Sequence, residues 1–261
     1  MNNITTNFPS ILAFAQNYQL PPEKKRAIIL EYLQSLFISR LYALPKSDQL
    51  SFVGGTSLRL LRGLDRFSED LYFDNLGLET SQIMDLISQV VESLARENIQ
   101  IELNNVDRSE KTYFSIKFPE LLFDLNISTN QKEKLMIKLD YADWWKGQIT
   151  ETILFNRFGF LEHIVTNTLD CLFVQKITAY VQRKQTQPRD LYDITWLFSQ
   201  HARYNSEFAA KNGLDNILAL AREKFKKEGV TTLMKNKLKP FLFTQRDISR
   251  LELVGEILEK I

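Results

Sequence analysis

The sequence predicts an α+β protein, a mixed sheet flanked by helices and followed by a carboxy-terminal helical bundle. Three observations carry that prediction. Strand-like and helix-like runs interleave from Leu50 to Asn156, a glycine pair closes the first strand-like run, and from Thr166 the apolar spacing is helical almost to Ile261. At 261 residues, 44% hydrophobic and 25% charged, the chain has room for one large or two modest domains. The expected division is a mixed domain with an amino-terminal helix over 1–165 and a helical domain over 166–261.

Each element has its own signal. Between Pro22 and Leu44 the apolar positions Ala27, Ile28, Leu30, Leu33, Leu36, Phe37 and Leu41 follow a helical spacing, opened by Pro21-Pro22 and stopped by Pro45. Leu50 to Val53 is a short apolar run ending in Gly54-Gly55, which reads as a buried strand entering a tight turn. Thr56 is placed to cap the helix that follows, and Gly63 lies where it should end. Leu71 to Phe73 reads as a second strand. Ser81 to Glu97 is an amphipathic helix through Ile83, Leu86, Ile87, Val90 and Leu94. Strands are expected at Ile99–Val106, Tyr113–Phe118, Lys134–Ala142 and Glu151–Asn156. In the helical half, breaks fall at Gln187-Pro188, Asn212-Gly213, Gly229 and Pro240.

Composition excludes several classes. Thirty-three basic against thirty-two acidic residues leave a net charge of +1, so any surface that attracts nucleic acid must be local. The single cysteine, Cys171, rules out an internal disulfide framework and a cysteine-based zinc site, which favours a reducing, cytoplasmic setting. Charges interrupt every apolar stretch well short of the ~20 residues a bilayer requires. The Met-Asn-Asn-Ile-Thr-Thr start lacks the regions of a signal peptide, so no membrane association is expected.

Two groups of residues could carry chemistry. Gly54-Gly55 removes two side chains at a strand end, and Thr56 and Ser57 add hydroxyls and backbone N–H groups at a helix start, a place that can accept phosphate. The same two glycines also make an ordinary turn. The acidic strand that follows gives the phosphate reading its weight. Its period of two puts Asp70, Tyr72 and Asp74 on one face, with Asp74 about 13 Å of extended strand from Asp70. Asp140, which shares a face with Lys138, is therefore the better partner for Asp70 in holding a divalent ion. Magnesium commonly takes one or two protein carboxylates together with substrate phosphates.

The second group is Lys176 and Arg183, seven residues apart on one helix face, with Asp190 and Asp193 after Pro188. Acids in a first helical turn also complement the helix dipole, so a plain capping role competes. Asp193 is read as structural or positioning, and Asp190 as facing Lys176. His163 and His201 are too isolated for a metal cluster. Trp144-Trp145 beside Lys146 suits either base stacking or the rim of the sheet. The basic run Arg222 to Lys227 and the lysines at 235, 237 and 239 fit a solvated face as well as they fit nucleic acid.

Taken together, the chain resembles the AbiEii/AbiGii toxin family of nucleotidyltransferases. The matching residues are Gly54-Gly55-Thr56-Ser57 with Phe67-Ser68-Glu69-Asp70, then Lys138-Leu-Asp140, then Lys176-x-x-Ala-x-x-x-Arg183, then Arg189-Asp-Leu-Tyr-Asp193. The resemblance runs from about Pro22 to Leu197. It implies a nucleotidyltransferase fold with an added helical bundle, transferring a nucleotide from a nucleoside triphosphate to an acceptor with magnesium or manganese. It also implies a tRNA or other RNA acceptor, and a cognate antitoxin as in toxin–antitoxin or abortive-infection systems. By that analogy Asp70 and Asp140 hold metal, and Gly54, Gly55, Thr56 and Ser57 meet the triphosphate. Lys176, Asp190 and Arg183 complete the nucleotide site, and Ser68 is a phosphate acceptor. Tyr72 is the departure, because the family pattern has an acid there. Losing one metal ligand would cost several kcal/mol of transition-state stabilisation. A one-metal enzyme, an inactivated toxin and a non-catalytic nucleotide- or RNA-binding module all remain open.

Overall fold

The structure, a computed structural model, describes residues 3–108 and 111–261, with the side chains of 106–112 left out. The chain forms two compact units. The first comprises residues up to Arg62, Phe67–Asp143 and Thr152–Val165; the second comprises Gly63–Arg66, Trp144–Glu151 and Thr166–Ile261.

In the first unit, helices α1 (Asn3–Asn17) and α2 (Lys25–Tyr42) precede strand β1 (Leu50–Val53) and helix α3 (Gly54–Arg62). Strand β2 (Leu71–Asn75), helix α4 (Thr80–Arg96), strands β3 (Glu102–Arg108) and β4 (Lys111–Phe118), the single turn α5 (Leu121–Asp124) and strand β5 (Leu135–Ala142) follow. The five strands form one sheet in the order β1-β2-β5-β4-β3. Only β2 and β5 run parallel, a pairing that needs a crossover connection. The sheet is therefore mixed, as the interleaved sequence pattern predicts.

Burial explains why α2 is central. Ile28, Ile29, Leu33, Phe37, Ile38 and Leu41 are all nearly inaccessible, and so are the polar residues Glu31, Gln34 and Ser35 on the same helix. The buried Glu31 carboxylate takes Arg59 Nε from α3 at 3.0 Å and Arg157 Nη2 at 2.5 Å. Arg157 also lies 4.2 Å over the Tyr18 ring. Burial, only partly offset by Glu31, brings the Arg157 guanidinium down to about 10. These contacts fix α3, whose first residues are the glycine turn, against α2.

Strands β6 (Thr150–Arg157) and β7 (Phe160–Asn167) form a separate two-stranded sheet whose residues are shared between the units. In the second unit, α6 (Leu169–Gln182) packs on α7 (Pro188–Ser199). Helices α8 (Ser206–Lys211), α9 (Ile217–Glu228), α10 (Thr232–Leu238) and α11 (Val254–Lys260) follow, with α9 on α6 and with α10 and α11 on α7. Lys224 of α9 donates to the carbonyls of Tyr180, Val181 and Arg183, satisfying acceptors that the end of α6 leaves open.

The breaks expected in the helical half fall at helix ends: Pro188 starts α7, and Asn212 and Gly229 follow α8 and α9. The sequence reading leaves out α1, the single turn α5 and β7. In α1 an internal Pro9 interrupts an otherwise helical 4, 11, 15 spacing of buried Ile4, Ile11 and Ala15. In β7 the inward Ile164 and Thr166 sit where the helical pattern had been expected to begin. Among the described residues no helix is long and apolar enough to cross a membrane.

Candidate functional site

The glycine turn opens α3 directly from the end of β1, without an intervening loop. Gly54 has φ +82°, and a Cβ on it would lie 3.1 Å from Tyr72 Cδ2 and 3.3 Å from Tyr72 Cβ. Both its backbone conformation and its close neighbour therefore demand glycine. Gly55, Thr56 and Ser57 are buried in the first turn of α3, whose N–H groups have no intrahelical acceptor. Thr56 is not the N-cap: the helix has already begun at Gly54, and the Thr56 hydroxyl donates instead to the backbone carbonyl of Asp70 at 2.5 Å.

That bond ties the glycine turn to the acidic segment. A second tie comes from α2, where Gln34 Nε2 donates to the carbonyls of Glu69, at 2.7 Å, and Ser68, at 3.2 Å. Gln34 is only 1% exposed, so it acts as a fixed internal clamp on residues 68–69. Sequence reasoning missed it. Its one visible signal is a glutamine on the inward face of an apolar helix.

β2 lies between β1 and β5, and its register sets Tyr72 beside Val53 on one side and Asp140 on the other. Adjacent residues in register point to the same face of a sheet. Asp140 is thus level with Tyr72 rather than with Asp70. Two residues along the strand and one strand across correspond to about 8 Å between Cα atoms. Tyr72 stands at the corner of that triangle. Its hydroxyl donates to Asp70 Oδ2 at 3.1 Å, and Lys138 Nζ lies 3.4 Å from Asp140 Oδ2. Lys138 also sits 4.4 Å over the ring of Tyr113, the β4 residue paired with Asp140. Asp70 and Tyr72 are half-buried and Asp140 is 7% exposed. Asp74 is 1% exposed, paired with Ser51 and Ala142 further along β2.

Among the described residues no group of three or more His, Cys, Asp or Glu side chains is arranged to hold a metal ion. Asp70, just before β2, and Asp140 on the neighbouring β5 are the ligand type for one hard divalent ion whose remaining positions are filled by phosphate oxygens and water.

The second cluster belongs to the helical unit. Arg66 is 1% exposed and grips Asp193 with two hydrogen bonds, Nε to Oδ1 at 2.7 Å and Nη2 to Oδ2 at 2.6 Å. Lys176 of α6 lies 2.7 Å from Asp193 Oδ2 and 3.6 Å from Asp190 Oδ1. Arg183, in extended conformation just past the end of α6, brings Nε to 2.8 Å from Asp190 Oδ2 without the alignment of a hydrogen bond. The structure brings Lys176, Asp190 and Arg183 together. It differs from the sequence expectation on who orients Lys176: Asp193 makes the closer contact. Burial pushes the Asp193 carboxyl up, but the charges and hydrogen bonds of Arg66 and Lys176 outweigh it and hold the group below the ordinary carboxylate range.

Three cations against two carboxylates leave this cluster at +1, with the Arg183 side chain 46% exposed at its surface. Next to it, Tyr192 donates to Asp65 Oδ1 at 2.8 Å, and Arg250 reaches Asp65 Oδ2 at 2.7 Å. Arg66 was not legible as a site residue, because its partner is 127 positions away.

A search of curated protein sequences finds no match. Several solved structures share the fold, two of them from Helicobacter pylori. The crystal structure of JHP933 from Helicobacter pylori aligns with a TM-score of 0.50 at 16% identity, covering 90% of this chain and 92% of that one. A putative nucleotidyltransferase from H. pylori aligns with a TM-score of 0.52 at 17% identity, covering 90% and 95%. At sequence level, the family described as nucleotidyl transferase AbiEii toxin, type IV TA system, matches residues 36–258. That span takes in both clusters, and the chain belongs to the AbiEii nucleotidyltransferase toxin family.

Proposed function

We propose that the protein transfers a nucleotide from a nucleoside triphosphate to an RNA acceptor, tRNA being the first to test, with magnesium or manganese and at a rate lowered by Tyr72. One observation supports this reading above the rest. The Asp70 segment is clamped from two sides, by Gln34 and by Thr56 of the glycine turn, and Asp140 is held one strand away. A segment that only joined α3 to β2 would not need three part-buried side-chain bonds to its backbone.

In this proposal the N–H groups of Gly54, Gly55, Thr56 and Ser57 hold the triphosphate at the start of α3. Asp70 and Asp140 would hold the divalent ion, which neutralises phosphate charge as the pyrophosphate leaves. An acceptor hydroxyl attacks the α-phosphorus, the bond to the bridging oxygen of pyrophosphate breaks, and the hydroxyl proton passes to solvent. Lys176, Asp190 and Arg183 are assigned to the same reaction through the family motifs they occupy, with Asp193 and Arg66 positioning Lys176. Ser68, whose carbonyl Gln34 holds, is assigned as a phosphate-accepting residue. Family membership extends the proposal to an antitoxin partner and a cytoplasmic setting.

A second reading, a nucleotide- or RNA-binding module without turnover, is favoured by one contact. The Tyr72 hydroxyl donates to Asp70 at 3.1 Å where the family pattern has a carboxylate. Radiolabelled nucleoside triphosphates, total tRNA and either metal separate the two. Label transferred to tRNA by the parent and lost in Asp70→Ala supports the enzyme; saturable nucleotide binding with no transfer, in the parent and in Tyr72→Asp alike, supports the module.

A further inference from the structure

The helical unit carries an aromatic stack that neither cluster uses. Trp144 and Trp145 lie face to face with ring centroids 4.0 Å apart at 27°, and Trp145 stacks in turn on Phe208 of α8 at 5.2 Å and 22°. The stack runs from inside to outside: Phe208 is 1% exposed, Trp145 is intermediate and Trp144 is 49% exposed. A tryptophan half open to water and stacked on its inner side leaves its outer flat face open to a ligand.

The loop that bears it is held rather than loose. The Asn212 side chain accepts from Lys146 N–H at 2.9 Å and donates to the Lys146 carbonyl at 3.0 Å, and it donates again to Phe208 O at 2.8 Å. This pins residue 146 to the same helix end that supplies the base of the stack. Gly147 has φ +71°, and a Cβ there would lie 2.8 Å from Lys211 Cδ, so the Lys211 stem lies across the loop. Lys146 is exposed, and the Lys211 side chain, 53% exposed, pairs with Glu207 at 2.7 Å.

We propose that Trp144 is a stacking platform for an unpaired base of the acceptor RNA, with Lys146 and Lys211 meeting the adjoining phosphates. The platform rests on the RNA-acceptor reading above, and its chemistry is that of single-strand recognition. A flat ring already fixed in orientation accepts any base face, and flanking lysines track the backbone. The occupant follows from the RNA acceptor proposed above: an open ring fixed in orientation suits the face of an unpaired base, and exposed Lys146 beside it suits an adjoining phosphate.

The test uses the full chain and a fluorescein-labelled eight-nucleotide single-stranded RNA, read by anisotropy, with the tRNA labelling assay run beside it. Trp144→Ala is expected to weaken binding of the oligonucleotide by about 5- to 150-fold, the range that loss of one base–aromatic stack gives. Trp144→Phe should recover most of it, and Lys146→Ala should reduce the slope of log affinity against log salt by about one. Circular dichroism of each variant should match the parent, because residue 144 lies at the surface.

Equal affinity in Trp144→Ala and parent, no oligonucleotide binding by the parent, or equal affinity for a blunt RNA duplex would each overturn the platform. Failure of the labelling assay with Trp144-dependent RNA binding intact would sink the transferase reading and leave the platform standing.

Discussion

The two charged clusters of this chain are built in opposite ways. In the helical unit, Asp193 is buried and bound by Arg66 through two short bonds and by Lys176 through a third, so that carboxylate is saturated by protein. In the sheet unit, Asp70 and Tyr72 are half-buried, and Asp140 meets a lysine only at 3.4 Å. A carboxylate saturated by fixed cations orients its neighbours and cannot take a ligand, whereas Asp140, whose lysine is 3.4 Å away, keeps more capacity to accept one.

Removing charge from each cluster should therefore break different properties. The largest effect is expected from Asp193→Asn, which leaves Arg66 and Lys176 buried without their main counter-charge. Losing one partner of a buried pair costs about 3–5 kcal/mol. Urea unfolding should show that loss, and Asp190→Asn should cost less, since its closer partner Arg183 is half exposed and Lys176 keeps its shorter contact with Asp193. If the two variants are equally stable, the division of labour between Asp193 and Asp190 is wrong.

The same contrast predicts an acid limb. Because the folded Asp193 carboxyl sits below its ordinary value of 3.8, its contribution is present in full above that value. It is lost as pH falls through the lower folded value. The urea midpoint of the parent should fall more steeply below about pH 4 than that of Asp193→Asn. Parallel curves would mean that Arg66 and Lys176 do not hold Asp193 ionised.

How much of this was readable in advance differs between the clusters for a physical reason. β1, β4 and β5 fall close to their expected bounds, and the breaks at Pro188, Asn212 and Gly229 fall at helix ends, because alternation and proline or glycine punctuation are local signals. That Lys138 and Asp140 share a face also follows from local period. That Asp140 comes level with residue 72 does not, since it depends on β5 running parallel beside β2, a consequence of topology. Arg66 and Gln34 were missed for the same reason: their partners are backbone or side-chain atoms 34 to 127 residues away. Tyr72 was conspicuous in the sequence, but its bond to Asp70 required coordinates.

Smaller effects sharpen the sheet side. Gly54→Ala puts a side chain into a positive-φ position and within 3.1 Å of the Tyr72 ring. The backbone strain alone costs about 1–2 kcal/mol. Combining it with Tyr72→Ala should recover only the steric part, so the double variant should be more stable than the sum of the two single losses predicts. Strict additivity, by urea midpoint, would show that Tyr72 gives way freely and does not brace the glycine turn.

The smallest stability change should come from Tyr72→Phe, which keeps the ring against Gly54 and removes the hydroxyl from Asp70 Oδ2 at 3.1 Å. A hydrogen bond of this kind contributes about 0.5–1.5 kcal/mol net. Its interest lies in the metal. If that hydroxyl competes with a divalent ion for Asp70, manganese titrated by calorimetry should bind Tyr72→Phe a few-fold more tightly than the parent, and Tyr72→Asp more tightly again. A gain confined to Tyr72→Asp would assign the weakness of the site to the missing third carboxylate, because the hydroxyl would then have been no obstacle. A gain already complete in Tyr72→Phe would make residue 72 a plug on a site that two aspartates can serve.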